Sequence, residues 1–310
     1  MRPQKIERLG FGQQAVCARN PRIVYAAIHG YREGGPYSRQ PAYDDVIQGQ
    51  SGFASLMAEI AGEPRYAPTI IADKTTALSL VGAISAALFA REKTGRGQFV
   101  EVPMFESMVS FILAEHLFGH CFTPAMGDLG YTRVLGSWRR PYKTKDGYLC
   151  MMAYTETQWR RFWTMVGKPE VSDDPRFNSI ASRSQNVVAL YQLAGDCLAD
   201  KTTDEWLALL RKLDIPSARV SSLDDVMADP HLAASGFFKQ ASHPSEGEIQ
   251  FTDMPVRFSD NAASAERLQP RLGEHSVAVL RAAGLTDNEI NALIASGATF
   301  EGPPKARAAE

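Results

Sequence analysis

The sequence has few cysteines, and none of them lies in a metal-binding or redox pattern. Its 310 residues include four, at Cys17, Cys121, Cys150 and Cys197, and none form a C-x-x-C pair. Their spacing suits no zinc site. Scattered thiols in a chain of this length are typical of a reducing compartment, so we expect a cytoplasmic protein that binds no structural metal.

An excess of charge of one sign is also absent. The chain has 33 Lys and Arg against 35 Asp and Glu, a formal net charge of −2. It has no basic field for nucleic acid and no polybasic run for a membrane surface. The first ten residues lack the apolar stretch of a secretory signal. We therefore expect neither a nucleic-acid partner nor a membrane partner.

Long hydrophobic runs and two common nucleotide or hydrolase motifs are missing as well. The longest apolar run covers residues 77–90 and is rich in Ala, Ser and Gly. It is short for a bilayer, and it predicts a buried core helix. Neither a Walker A loop nor a G-x-S-x-G elbow occurs, which excludes the P-loop and serine-hydrolase interpretations.

The order of predicted elements indicates an α/β protein. A β-branched run at Ile23–Ile28 predicts a strand, residues 74–93 a helix, residues 99–102 a second strand and residues 104–118 a second helix. This β-α-β-α order is typical of a largely parallel sheet. Further along, Asp146-Gly147 predicts a hairpin within a second, smaller unit that also contains several helices.

Asp73 is the residue of greatest chemical interest. It directly precedes the predicted helix, where an N-cap belongs. The positive end of a helix stabilises an ionised carboxylate, and an ionised carboxylate in a cleft can attack a thioester carbonyl. An Asp in this position usually serves only as a cap, so the pattern by itself favours the structural role.

Two other motifs have a structural interpretation that outweighs the functional one. Residues 10–15 match G-x-G-x-x-A, but a charged helical stretch precedes them where a dinucleotide site needs a strand. His116 and His120 are spaced to share one face of a helix and to bind zinc, although H-E-x-x-H is absent. Packing histidines are the more common outcome among apolar neighbours such as Phe111 and Leu117.

Several segments, taken in order, resemble the family III CoA-transferases, also called the CaiB/BaiF family, which include formyl-CoA transferases. The segments include R-P with R-L-G, N-P-R-I-V-Y, G-G-P-Y, R-Q-P-A-Y-D, A-D, K-T-G-R-G-Q and L-G-E-H, which begin at residues 2, 20, 34, 39, 72, 93 and 272. Each motif is weak alone, but their shared order and spacing extend over nearly the whole chain. The chain is therefore similar to members of this family throughout its length.

The resemblance implies a function and a set of site residues. Asp73 matches the family's nucleophile, which would carry an acyl anhydride and then a CoA thioester. Tyr43 and Gln48 match positions that line the active site, and Arg2 and Arg8 are predicted to bind CoA. Coenzyme A is then a substrate, transferred from an acyl-CoA to a small carboxylic acid, with no further cofactor.

The resemblance also implies an architecture. We expect a Rossmann-like large domain over residues 1–123, an inserted smaller α+β domain over 124–256, and a C-terminal segment, 257–310, that returns to the large domain. Family members form intertwined homodimers, so a homodimer is expected. They also begin with at least one further βαβ unit, so the large domain is expected to be incomplete at its N-terminus.

Two alternatives to CoA transfer stay open. The same fold includes α-methylacyl-CoA racemases, which place a histidine where this chain has Tyr43 and use it with an aspartate in acid–base chemistry at the α-carbon. The second alternative is a shortened, non-catalytic protein that dimerises or binds a partner.

Overall fold

The computed structural model describes residues 2–260 and 268–302. Contacts divide the chain into two compact units, residues 1–220 and residues 221–310. The domain limits expected after residues 123 and 256 stay predictions. Parts of the expected C-terminal segment, residues 261–267 and 303–310, lie outside the described residues.

The first part of the larger unit places helices around a pair of parallel strands. Its elements in chain order are α1 (Pro3–Arg8), α2 (Gln13–Arg19), β1 (Tyr25–His29), α3 (Asp44–Gln50), α4 (Phe53–Ala61), α5 (Ile71–Thr94), β2 (Phe99–Pro103) and α6 (Met104–His116). Strands β1 and β2 pair in parallel, with Tyr25 opposite Phe99 and His29 opposite Pro103. A parallel pair needs a long crossover, and α3 to α5 provide it. The predicted β-α-β-α order and the mixed α/β class are therefore confirmed.

A small hydrophobic cluster holds these elements together. Tyr31, Ile47, Ala72, Met108 and Ile112 are all buried within it. They come from the loop after β1 and from α3, α5 and α6, so each element contributes one or two side chains. We call this set the first core.

Helix α5 is longer and more exposed than the sequence predicts. It has 24 residues, and only Ala72, Thr76 and Ala87 are buried. By length and composition it is also the one helix, among the described residues, that is long and apolar enough to cross a membrane. The expectation of a buried core helix is wrong, because only one face packs against the neighbouring elements. The large apolar side chains Leu78 and Phe89 point to solvent, 77% and 67% exposed.

The second part of the larger unit has its own core. It contains α7 (Thr132–Leu135), β3 (Tyr142–Lys143), β4 (Tyr148–Met151), α8 (Glu156–Met165), α9 (Ile180–Gln185), α10 (Val187–Leu198), α11 (Thr203–Lys212) and β5 (Ser217–Arg219). Strand β4 pairs antiparallel with both β3 and β5, and the hairpin predicted at Asp146-Gly147 joins β3 to β4. Seventeen buried side chains, among them Trp159, Phe162 and Trp163, form a second core here.

The smaller unit, residues 221–310, is built around one hairpin. Its described elements are α12 (Leu223–Met227), α13 (Pro230–Ser235), β6 (Phe238–His243), β7 (Gly247–Thr252), α14 (Ser276–Ala282) and α15 (Asp287–Ala295). Strands β6 and β7 pair antiparallel from Phe238 opposite Thr252 to His243 opposite Gly247. The buried His243 donates from Nε2 to the backbone carbonyl of Gln269 at 2.7 Å, so this histidine is part of the packing.

Candidate active site

Asp73 lies in the first turn of α5, but it is not the residue that caps the helix. The helix begins at Ile71, with Ile70 in the capping position, and the capping position supplies no side-chain hydrogen bond. The predicted N-cap role of Asp73 and the predicted start near Lys74 are therefore wrong. The capping carboxylate comes from elsewhere in the chain. The carboxylate of Asp73 itself forms no hydrogen bond or ion pair within the part of the chain that the structure describes.

Asp44, the first residue of α3, caps α5 from outside. Its side chain is buried, and its Oδ1 accepts hydrogen bonds from the backbone N–H groups of Ala72 at 2.8 Å and Asp73 at 3.0 Å. The first amides of a helix have no partner within the helix, and a buried carboxylate needs donors. This contact satisfies both requirements and fixes the backbone of Asp73 relative to α3.

Gln48 holds the other oxygen of Asp44. It is one helical turn further along α3, and its Nε2 donates to Asp44 Oδ2 at 2.5 Å. Its Oε1 accepts from the backbone N–H of Ala67 at 2.8 Å, and the residue is only 1% exposed. Both the nitrogen and the oxygen of the Gln48 side-chain amide are therefore hydrogen-bonded within the protein. The predicted contact of Gln48 with substrate stays a prediction.

The pKa of Asp73 is shifted by its surroundings. Partial desolvation, and secondly the negative charge of Asp44, raise it above the ordinary value. The first-turn position acts in the opposite direction, because the positive helix end stabilises the ionised form. A carboxylate with a raised pKa is more basic and, while ionised, a stronger nucleophile toward an acyl carbon.

Tyr43 and Asp73 are both open to solvent on either side of the buried Asp44. Tyr43 precedes α3 in an extended conformation and is 80% exposed, and Asp73 is also exposed. Since Asp44 follows Tyr43 in the chain and contacts the backbone of Asp73, the two predicted site residues belong to one surface region. Nothing in the described chain covers the ring of Tyr43, so its phenol is available to a ligand.

The two predicted CoA-binding arginines lie at opposite ends of the short helix α1. Arg2 is exposed, and its Nη1 donates to the backbone carbonyl of Arg39 at 3.1 Å, in the loop that precedes Tyr43. Arg8 is exposed at the end of the helix and has no partner among the described residues. Exposed guanidinium groups suit contact with phosphates.

A cavity of about 600 Å³ lies between α1 and β1, and neither Tyr43 nor Gln48 is among its lining residues. Glu7, the stretch Gly12–Ala15, Tyr25, His29 and Phe99 are among its lining residues. The G-x-G-x-x-A stretch, for which the sequence argument favours a structural role, therefore borders a cavity. Asp73 does not line it. The nucleophilic role expected of Asp73 requires a cleft around its carboxylate, whereas the described chain leaves it exposed.

The structure contains a buried acid–histidine pair that the sequence does not predict. His29 Nε2 and Glu101 Oε1 are 2.9 Å apart, and both side chains are largely buried. Glu101 also accepts from the backbone N–H of Glu33 at 2.6 Å, so it fastens the loop after β1. The signal available in the sequence is a histidine at the end of one predicted strand and a glutamate inside the next.

The two histidines considered for zinc do not act together. His116 ends α6, is buried, and accepts at Nδ1 from the backbone N–H of Tyr131 at 3.2 Å. His120 lies in a following single turn and is exposed. Among the described residues, no group of three or more His, Cys, Asp or Glu side chains comes together as a metal site.

Comparison with known families decides where the chain belongs. The model of CoA-transferase family III matches residues 1–276. The chain is a member of this family. Asp73, Tyr43 and Asp44 all fall within the matched segment, as do the loop and helices that position them.

Individual family members of known name are similar over most of the chain. An acyl-CoA transferase of Fusarium pseudograminearum is 31% identical over 293 residues, which cover 92% of this chain and 63% of the relative. The mouse succinyl-CoA:glutarate CoA-transferase is 29% identical and covers 90% of this chain and 64% of its own length. A formyl-CoA:oxalate CoA-transferase of Escherichia coli is 28% identical over 94% of this chain and 75% of its own.

Solved structures share the fold of this chain. Rv3272 from Mycobacterium tuberculosis matches 89% of this chain and 74% of its own, with a TM-score of 0.75 and 27% identity. A CAIB/BAIF family protein from Brucella suis gives a TM-score of 0.71 at 27% identity, over 91% of this chain and 73% of its own. This family member therefore spans 63% and 64% of the length of the first two relatives, less than two thirds, and about three quarters of the others.

Proposed function

We propose that this protein transfers coenzyme A from an acyl-CoA to a carboxylic acid, with Asp73 as the nucleophile. Support comes from the family membership and from relatives that are named for CoA transfer to glutarate and to oxalate. The single observation that carries the proposal is the state of Asp73. Among the described residues its carboxylate has no hydrogen-bond or ion-pair partner, its backbone is fixed by Asp44, and its pKa is raised.

The proposed chemistry runs through two covalent states of Asp73. A carboxylate oxygen attacks the thioester carbonyl of the acyl-CoA, the C–S bond breaks, and CoA leaves as a thiolate. The product is a mixed anhydride. The thiolate then attacks the aspartyl carbonyl and releases the first acid as a carboxylate, which leaves an aspartyl-CoA thioester. The acceptor carboxylate repeats these steps in reverse order and departs as the new acyl-CoA.

Other residues have supporting roles in this proposal. Tyr43 contacts the acyl group beside Asp73, while Arg2 and Arg8 contact the phosphates of CoA. Gln48 acts through Asp44, because its amide is engaged there. An anhydride must be shielded from water, and the carboxylate is exposed in the described chain. We therefore include a homodimer in the proposal, with the bound acyl-CoA and the second copy covering the site.

Hydroxylamine trapping tests the covalent steps. The full chain is incubated with succinyl-CoA or formyl-CoA and hydroxylamine, and peptides are analysed by mass spectrometry. We expect a hydroxamate on Asp73, whose mass is 15 Da above the unmodified peptide. In Asp73→Asn and Asp73→Ala we expect no hydroxamate and at least about a 10³-fold loss of CoA exchange, because an amide or methyl group cannot form the anhydride.

Asp45→Asn is the matched control. Asp45 is an exposed acid in the same first turn as Asp44, and it lies outside the proposed machinery. Its exchange rate and its trapped peptide should equal those of the wild type. A hydroxamate on another residue, or undiminished exchange in Asp73→Ala, contradicts the assignment.

One observation favours a non-catalytic binding protein as the second candidate. The carboxylate of Asp73 is exposed and does not line the cavity beside β1. Calorimetric titration of the chain with acyl-CoA separates the two candidates. Binding that is accompanied by Asp73 labelling supports the transferase, whereas the absence of any binding of acyl-CoA supports the second candidate.

A further inference from the structure

Arg183, on α9, is a buried cation with an unsatisfied nitrogen. The residue is 7% exposed, and its Nη1 donates to the backbone carbonyl of Phe177 at 2.9 Å. Its Nη2 is buried and has no hydrogen-bond partner within residues 2–260 and 268–302. Burial lowers the pKa of the guanidinium, and the charge of Glu156 acts in the opposite direction. These two residues form no ion pair in the part of the chain that the structure describes.

A second arginine faces the same small cavity. Arg133 and Arg183 both line it, together with Tyr154 and Tyr191. The guanidinium of Arg133 stacks on the ring of Tyr154 at 4.9 Å from its centroid. Partial burial disfavours the charge of Arg133, but the neighbouring tyrosine hydroxyls, chiefly that of Tyr191, outweigh this effect and raise its pKa. Its Nη2 donates to Met152 Sδ at 3.6 Å. The hydroxyl of Tyr191 lines the same cavity and has a proton to donate to a ligand.

The charges at this cavity are therefore unbalanced. Two guanidinium groups converge on it, and no acidic residue is among its lining residues. A buried charge without a partner is unfavourable, and a guanidinium presents paired donors that match a carboxylate or another small anion. The orphan Nη2 of Arg183 is the donor that such a ligand would satisfy.

The dimensions limit what can bind. The cavity has a volume of about 30 Å³, which is room for one ion or one small polar group. Its border includes the exposed residues Tyr154 and Ile180, so a group can enter from solvent. We propose that this cavity binds one small anionic group, a halide ion or the carboxylate of a small acid, between Arg183, Arg133 and the hydroxyl of Tyr191. The site belongs to the second core and is independent of the proposed CoA chemistry.

Thermal unfolding of the full chain tests the site. The reference salt is sodium methanesulfonate, whose head group is bulkier than a chloride ion or a carboxylate. At constant ionic strength it is replaced stepwise by sodium chloride in one series and by sodium acetate in another. We expect a saturable rise of the melting midpoint by about 2–4 °C in at least one series, since a ligand that binds only the folded state stabilises it. A rise with chloride alone identifies a halide site, and a rise with acetate alone identifies a carboxylate site.

Two arginine variants distinguish binding from a general salt effect. In Arg183→Gln the saturable rise should disappear, whereas Arg160→Gln, which removes an exposed arginine of α8 outside the cavity, should respond like the wild type. If Arg183→Gln does not fold, the line width of ³⁵Cl in chloride solutions of wild type and Arg133→Gln is compared, with acetate as competitor. The proposal is overturned if neither anion has a saturable effect, or if the arginine variants of the cavity respond like the wild type.

Discussion

At the scale of single residues, the candidate site depends on a chain of hydrogen bonds with a fixed direction. Backbone N–H groups of α5 donate to Asp44 Oδ1, the side-chain Nε2 of Gln48 donates to Asp44 Oδ2, and the side-chain Oε1 of Gln48 accepts from the N–H of Ala67. Every donor meets an acceptor only if residue 44 carries two acceptor oxygens. The carboxylate at this position is therefore required by hydrogen-bond polarity, independently of any role in catalysis.

Exchanging the carboxylate at position 44 with the amide at position 48 tests this hydrogen-bond polarity. In Asp44→Asn the new side-chain NH₂ group faces the NH₂ group of Gln48, so two donors meet. If the Gln48 amide flips, its NH₂ group instead faces the backbone N–H of Ala67, and two donors meet there. We expect a loss of about 1–3 kcal/mol in the free energy of unfolding, the usual effect of a buried unsatisfied donor. The double variant Asp44→Asn with Gln48→Glu restores the match, because a carboxylate at 48 accepts from both Asn and the Ala67 amide. Urea unfolding of the four proteins measures the coupling.

Gln48→Glu alone is the matched control for that cycle. It places two carboxylates against each other, so it should be less stable at neutral pH than either the wild type or the double variant. Strictly additive losses in the double variant would contradict the directional network.

Asp146 offers a pH-dependent test at the residue scale. Its Oδ1 accepts from the backbone N–H of Thr203 at 2.8 Å and from the hydroxyls of Thr203 and Thr144. The backbone bond from Thr203 is the main cause of a lowered pKa. A lowered native pKa stabilises the fold at pH values above the unfolded pKa, about 3.9, and this stabilisation is lost as the pH falls through the native pKa.

We therefore expect Asp146→Asn to melt below the wild type at neutral pH, with a difference that shrinks as the pH falls below about 4. Thermal melts between neutral and acidic pH measure this. Asp128→Asn, at an exposed acid without resolved contacts, should show no such difference at any pH. A difference for Asp146→Asn that is constant with pH would rule out the ionised hydrogen-bond acceptor as its cause.

At the scale of elements, the exposed apolar face of α5 indicates a protein interaction surface. Its small residues give the helix few apolar atoms to bury against α3, α6 and the strands, while Leu78, Val81 and Phe89 lie on the solvent side. Exposed apolar patches of this kind mark protein interaction surfaces. The proposed homodimer would cover this face.

A charge on this face should weaken self-association. We expect Leu78→Glu to shift the chain from dimer to monomer, because the interface would have to bury an unpaired carboxylate. Analytical ultracentrifugation at several concentrations measures the shift. Leu223→Glu is the matched control, since Leu223 is 85% exposed but lies outside α5, on α12. A wild-type chain that stays monomeric at all concentrations, or equal association of both variants, would rule out this interface.

At the scale of the whole molecule, the larger unit contains two cores that share no residue. All four tryptophans, Trp138, Trp159, Trp163 and Trp206, belong to the second core or pack against it. Tryptophan fluorescence therefore reports on the second core alone, whereas far-ultraviolet circular dichroism reports on both. The two signals together can show whether the domain limit expected near residue 124 separates independently folding parts.

Matched core truncations exploit this arrangement. Met108 in the first core and Leu210 in the second are both fully buried, and truncation of such residues costs about 2–5 kcal/mol. We expect Leu210→Ala to lower the fluorescence midpoint in urea. We expect Met108→Ala to lower the urea midpoint of the part of the circular-dichroism transition that reports on the first core. The fluorescence midpoint should stay unchanged. If Met108→Ala lowers both midpoints equally, the larger unit unfolds as one cooperative domain.

Local pattern was enough to predict much of this protein. The β-branched run before the first loop, the alternation of strands and helices and the Asp-Gly hairpin all depend on neighbours in sequence, and the structure confirms them. The order of short motifs over the chain was enough for the family. Each of these signals is contained within a few consecutive residues or in their spacing.

Contacts between distant residues decided the rest. The cap of α5 comes from Asp44, 28 residues before Ala72. The buried pair His29–Glu101 joins two strands through residues that are 72 positions apart. The orphan nitrogen of Arg183 is likewise defined by what surrounds it in space. A carboxylate acts as cap, nucleophile or ion-pair partner according to the donors and the solvent around it. Propensity and periodicity carry no information on those surroundings, because tertiary packing alone brings such groups within hydrogen-bonding distance.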